Sequence, residues 1–135
     1  INNMPDKNSR EKIGNNRYYT FNKYFMWIEN DNGKVIFKLS KDKYSTLNFY
    51  SNGEKLLAFA VGDGFTDVYD IDSGRKLFGI PANVVGTTAD KYIIAKAEDK
   101  ELYGIYDFKG NTVVPVEYSW EYLYNEKYVK TEKNY

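Results

Sequence analysis

The chain has 135 residues, enough for one domain with a buried core and no covalent staples. Its 19 basic and 19 acidic residues cancel, so no net charge draws it to nucleic acid or to an anionic membrane. It has no Cys and no His, which excludes disulfides, thiolate metal sites, the usual nucleophile–histidine pairs and the commonest general base.

Residues 1–16 are polar and without strong periodicity, and read as an N-terminal arm. Within it, Pro5-Asp6 opens a short helix through Ser9-Arg10-Glu11-Lys12, with Gly14 ending it. From Arg17 the pattern changes to short β-rich runs broken by turn residues, and residues 17–135 read as one all-β domain. The expected strands are 17–22, 24–29, 34–39, 46–50, 55–61, 66–71, 76–80, 84–88, 92–97, 103–108, 112–116, 120–124 and 128–131. Between them lie Asp31-Asn32-Gly33, Ser51-Asn52-Gly53, Asp63-Gly64, Asp72-Ser73-Gly74 and Lys109-Gly110. Gly and Asn there supply the positive φ that tight hairpins need. The longest apolar run, Leu56-Leu57-Ala58-Phe59-Ala60-Val61, is too short to span a membrane as a helix. The chain starts at Ile1 without Met or a signal-like apolar region, and reads as a processed product or an excised domain.

The strands repeat. Lys55, Lys91 and Lys127 each follow an acid and precede an apolar run, at spacings of 36 and 36. Tyr69-Asp70 and Tyr106-Asp107 align at 37, and Trp27 to Phe37 is a degenerate first copy. About three units of four short strands follow, built as blade-like hairpins in a propeller-like or open stacked array, with a β-trefoil as the alternative. In the third strand of each unit, Leu57 and Phe59, Ile94 and Val129 are expected in the core, joined by Tyr69, Ile71, Leu77, Ile105 and Val113.

Tyr103-Gly104-Ile105-Tyr106-Asp107-Phe108-Lys109-Gly110, followed by Val113-Val114-Pro115-Val116-Glu117-Tyr118, resembles the WG repeat, a bacterial β-hairpin repeat. The match runs over about residues 103–131, with Tyr103 where that repeat usually has Trp, and Asp67 stands in the second unit where the Gly belongs. The resemblance implies a propeller-like or solenoid binding scaffold and carries no catalytic residues with it.

Candidate chemistry is sparse. Asp63, Asp67, Asp70, Asp72 and Asp107 are the carboxylates open to a hydrolytic pair. Most lie in or beside turns, where Asp is favoured for its local hydrogen bonds. Asp70-Ile71-Asp72-Ser73-Gly74 has a faint calcium-loop pattern but lacks a third oxygen ligand and the downstream Glu. Neither a metal nor a cofactor is expected. Lys34, Lys38, Lys41 and Lys43, interleaved with Phe37 and Tyr44, read first as a solvated face, and no nucleic-acid partner is expected. With 14 Tyr, 8 Phe and 2 Trp, the chain has ample rings for strand faces and for binding. The alternation of Trp120, Tyr122 and Tyr124, with Tyr118 beside them, marks the expected binding surface. The resulting reading is a non-enzymatic binding or structural module of a bacterial surface or secreted protein. Its partner would be a protein or carbohydrate ligand, or further repeats of a longer parent chain. A hydrolase using the turn-borne carboxylates is the alternative.

Overall fold

Three consecutive antiparallel meanders of four strands make up the molecule, and a computed structural model describes residues 10–88 and 91–130. The first sheet holds β1 (Glu11–Gly14), β2 (Arg17–Phe21), β3 (Phe25–Glu29) and β4 (Val35–Ser40). The second holds β5 (Thr46–Ser51), β6 (Leu56–Val61), β7 (Thr66–Asp70) and β8 (Lys76–Ile80). The third holds β9 (Asn83–Thr88), β10 (Tyr92–Lys96), β11 (Tyr103–Asp107) and β12 (Thr112–Tyr118), followed by a short helix α1 (Trp120–Asn125). Among the described residues no ladder joins one sheet to another. The sheets are therefore separate blade-like units and not the closed barrel of a trefoil.

One local device recurs after the third strand of each sheet. Asn30, Asp70 and Asp107 each accept, on the side-chain oxygen, the N–H two residues on, at 2.9, 3.1 and 2.9 Å. Their carbonyls accept from Gly33, Gly74 and Gly110, whose φ values of 80°, 73° and 88° suit a residue without Cβ. This common turn fixes the true register of the repeat. Leu57 pairs with Asp70 and Tyr92 with Asp107. The units thus repeat at 35 residues in the second strand (57 to 92) and at 37 in the third (70 to 107), and not at a constant 36. Leu57, Phe59 and Ile94 lie in the second strand of their sheets and not the third.

The sheets stack face to face. Met26, Ile28 and Phe37 of the first sheet meet Ala58 and Ala60 of the second. On the other face of the second sheet, Leu57, Phe59 and Val68 meet Ile93, Ala95 and Tyr106 of the third. The far side of the third sheet, with Ile94, Tyr103, Ile105 and Val114, is covered by Trp120 and Leu123 of α1 and by Val129. Gly104, between Tyr103 and Ile105 and paired with Ala95, makes a close approach to β12: a Cβ would sit 2.5 Å from the Val114 carbonyl oxygen. The equivalent positions, each three residues before the recurring turn, hold Trp27 in the first sheet and Asp67 in the second.

Several expectations are corrected. Residues 120–124 are helical and not a strand, because Ser119 caps the helix by accepting the Tyr122 N–H at 3.2 Å and Trp120 and Leu123 share one buried face. The helix ends in a Schellman turn. The Lys127 N–H bonds the Tyr124 carbonyl, the Tyr128 N–H bonds the Leu123 carbonyl, and Lys127 has φ 66°. Lys127 is thus a helix stop and not the start of a repeat strand, and residues 128–130 form no strand. Thr131 lies outside the described residues, as do Ala89 and Asp90. Residues 11–14 form β1 where a helix was expected; Pro5, Asp6 and Ser9 of that expected helix lie outside the described residues. Leu77 and Val113 are 39% and 38% exposed and not core. Bulges in the β7–β8 and β11–β12 ladders shift the register by one, which turns Phe78 and Val114 inward instead. Leu57, Phe59, Ile71, Ile94, Ile105 and Val129 are buried as expected, and Tyr69 packs half-buried between the first two sheets.

Ile105 is fully buried opposite Val114, so Ile105→Ala should cost about 2–5 kcal/mol in urea unfolding. Lys109→Ala, at an exposed turn position, should change stability by less than about 0.5 kcal/mol. Equal effects from both would contradict this packing.

Candidate functional site

The residues expected to form a binding surface separate on folding. Trp120 is 4% exposed, packs edge-on against Tyr103 at 5.2 Å, and donates its indole N–H to the Lys130 carbonyl at 3.2 Å. It belongs to the core that α1 closes and is not open to a ligand. Tyr118 and Tyr122 stack at 4.3 Å with an interplanar angle of 18°, and Tyr122 is 40% exposed. Desolvation, then Glu126, raises the Tyr122 phenol above its ordinary pKa. Tyr124, 42% exposed, follows two residues later, about 200° around the helix. Only the Tyr118–Tyr122 pair therefore forms a joint surface.

The expected carboxylates are dispersed over structural tasks. Asp70 and Asp107 cap the recurring turns, and Asp70 also accepts from the Lys55 ammonium at 3.0 Å. The Lys55 hydrogen bond holds Asp70 below the ordinary carboxylate range; at Asp107 partial burial is outweighed by the Asn111 and Lys109 N–H groups, again lowering the pKa. Asp72 pairs with Arg17, tying the first sheet to the β7–β8 turn. Asp63 lies exposed in the β6–β7 turn. Among the described residues no group of three or more Asp and Glu is placed to hold a metal ion.

Asp67 is different. It is 4% exposed, on the face of β7 that looks toward the first sheet. Its Oδ2 accepts from the Tyr44 hydroxyl at 2.6 Å and its Oδ1 meets Lys76 Nζ at 3.2 Å. Lys43 Nζ lies 3.4 Å from Oδ2, and the Tyr44 and Tyr69 hydroxyls are 2.7 Å apart. Burial opposes the ionised carboxyl, but the Tyr44 hydroxyl and the two lysines overcome it and keep the pKa below the ordinary range. The Tyr44 phenol is pushed far up, first by burial and then by Asp67. Tyr44 sits in the β4–β5 connection, so this network latches that connection onto the second sheet. Phe37 and Tyr44 are both buried, which removes the rings once expected to interleave with the lysine stretch. Lys38 and Lys41 instead lie over Phe25 and Phe21, at 4.1 and 4.5 Å.

An open cleft runs between the first and second sheets along β5, in two contiguous parts of about 330 and 220 Å³ that share Tyr19 and Leu47. A row of rings follows it: Phe21 to Tyr19 at 5.9 Å, then Tyr19 to Phe49 at 5.3 Å. Glu11, Lys12 and Lys41 mark its rim with both signs of charge. Burial, then Glu11, raises the Tyr19 phenol. These residues come from β1, β2, β5 and, for Lys41, the β4–β5 connection, and with β1 read as helix no sequence pattern placed them together. The only signal was the period-two alternation of Tyr19 with Phe21 and of Leu47 with Phe49.

Fold and sites together define a repeat domain of stacked four-stranded sheets with a ring-lined inter-sheet cleft. No protein-family model matches the sequence, and no curated protein matches it.

Asp67→Asn should destabilise the chain by about 1–3 kcal/mol at pH 7, since a charged acceptor of the Tyr44 and lysine donors is lost. Folding lowers the Asp67 pKa, so its stabilisation is full above about pH 4 and fades as the pH falls through the folded value. Urea unfolding of both proteins from pH 7 to pH 2 should show the gap closing in acid. A gap that stays constant would contradict the ionised latch.

Proposed function

We propose that this chain is a non-enzymatic binding or structural β-repeat module of a bacterial surface or secreted protein, with a protein or carbohydrate partner. The observation that carries this reading is the division of labour among side chains. The carboxylates a hydrolase would use are spent on holding turns and connections, while rings remain available at the cleft and at Tyr118 and Tyr122. Binding surfaces favour such rigid amphipathic rings. The bacterial setting rests on the resemblance of residues 103–131 to the WG repeat. The parent chain is proposed to carry further units of the same kind.

The rival is hydrolysis by Asp67, Asp70 or Asp107. A panel of glycoside and ester substrates should show no turnover above a buffer blank. Turnover that disappears in Asp67→Asn, Asp70→Asn or Asp107→Asn, with the fold retained by circular dichroism, would replace the binding reading with the hydrolase.

A further inference from the structure

An exposed sheet edge offers unpaired backbone N–H and C=O groups to another chain, and proteins blunt such edges with charge, proline, bulges or cover. The six edges of the three sheets differ in this respect. β1 is four residues long, carries Glu11 and Lys12, and is bulged before Gly14. β4 carries Lys38 and a bulge, and β8 carries Lys76 and a bulge. β12 contains Pro115 and Glu117 and is bulged twice. β9 is bulged, and its Val84 N–H is already taken by the Thr66 hydroxyl at 2.9 Å. β5 has none of these devices. Its residues Thr46-Leu47-Asn48-Phe49-Tyr50-Ser51 include no charge and no proline, and all six pair with β6 in unbroken register. Among the described residues no backbone group of β5 bonds to anything on its outer side.

The ring-lined cleft runs along this same strand. We propose that β5 takes up an extended peptide segment of a partner protein as a fifth strand of the second sheet. Backbone pairing with the β5 edge holds the segment, and apolar side chains at alternate positions enter the cleft against Tyr19, Leu47 and Phe49. The chemistry of the occupant follows from the walls. A rim carrying one acid, Glu11, against two lysines, Lys12 and Lys41, favours a segment with a single negative charge, and the ring row favours aliphatic or aromatic side chains. A second copy of this chain fits less well. β1 stands beside the cleft, with Glu11, Lys12 and Ile13 in its wall, and the space of about 330 Å³ suits a few side chains and not another sheet. This proposal rests on the binding half of the proposed function.

The test pans a phage-displayed library of random ten-residue peptides against the full chain and then uses the recovered peptides in synthetic form. They should alternate apolar and polar residues, bind with micromolar Kd, and slow amide exchange at alternate residues of β5. Thr46→Lys with Asn48→Lys should weaken binding at least tenfold, whereas Lys109→Ala, at an exposed turn of the third sheet, should leave it unchanged. Thr46→Lys alone serves if the double variant loses its circular dichroism signal. N-methylation of alternate peptide residues should abolish binding. The proposal is overturned by recovered peptides indifferent to the lysine substitutions, by a library that yields no binder, or by a dimer of the chain that the lysine substitutions dissolve. If peptides fail while a panel of oligosaccharides binds, the peptide occupant is withdrawn and the binding function stands. Substrate turnover would instead remove the binding function itself.

Discussion

The middle sheet has no solvent face, and the rest of the molecule is arranged around that fact. Every residue of β6 from Leu57 to Val61 is buried, alternately toward the first sheet and toward the third. Each large apolar side chain buried in this way contributes about 1.5–3 kcal/mol; for Leu57 and Phe59 that contribution depends on the third sheet, and for Met26, Ile28 and Phe37 it depends on the alanine face that β6 turns to the first. Two adjacent residues of β7 extend the same logic to the connections. Asp67 holds Tyr44 of the β4–β5 connection, and Thr66 accepts from the Val84 N–H and donates to the Ala82 carbonyl, at 2.9 and 3.0 Å, on the opposite side. Because a strand sends neighbouring side chains to opposite faces, one dipeptide fastens both of its flanking sheets.

Eleven of the expected strands could be read from the sequence because their turns carry their own chemistry. Asn30, Asp70 and Asp107 with their following glycines are local signals, complete within five or six residues. What escaped was decided elsewhere. Trp120, Tyr122 and Tyr124 alternate as a strand would, yet the Ser119 cap and the burial of Leu123 against the third sheet make them helical. The spacing of Lys127 matched a repeat, but its backbone closes a helix. Bulges, which no local pattern announced, exchanged Leu77 for Phe78 and Val113 for Val114 in the core.

The candidate sites divided in the same manner. That Asp70 and Asp107 serve turns was legible, since turn carboxylates act on backbone two residues away. That Asp67 lies under Tyr44, Lys43 and Lys76 was not, because the contacts to Tyr44 and Lys43 span more than twenty residues and depend on how the first connection crosses the second sheet. The cleft along β5 likewise exists only once β1 and β2 have been laid beside it. Surfaces made by one strand can be read from alternation, whereas surfaces made between sheets require the stack.

The two faces of β6 are unequal in size. Ala58 and Ala60 meet the bulky Met26, Ile28 and Phe37 of the first sheet, while Leu57 and Phe59 face a third sheet that offers the small Ala95 among its contacts. The two seams therefore differ in volume, and the order of the units has a direction. A unit moved to another place in the row would meet either a void or a collision, each costly in a close-packed interior. Identical tandem copies would stack poorly, and Trp27, Asp67 and Gly104, which occupy one structural position in three different chemistries, show how far the copies have been driven apart. The two seams thus ask different residues of each unit, and the repeat is faint where the sheets meet because no single set of side chains fits both.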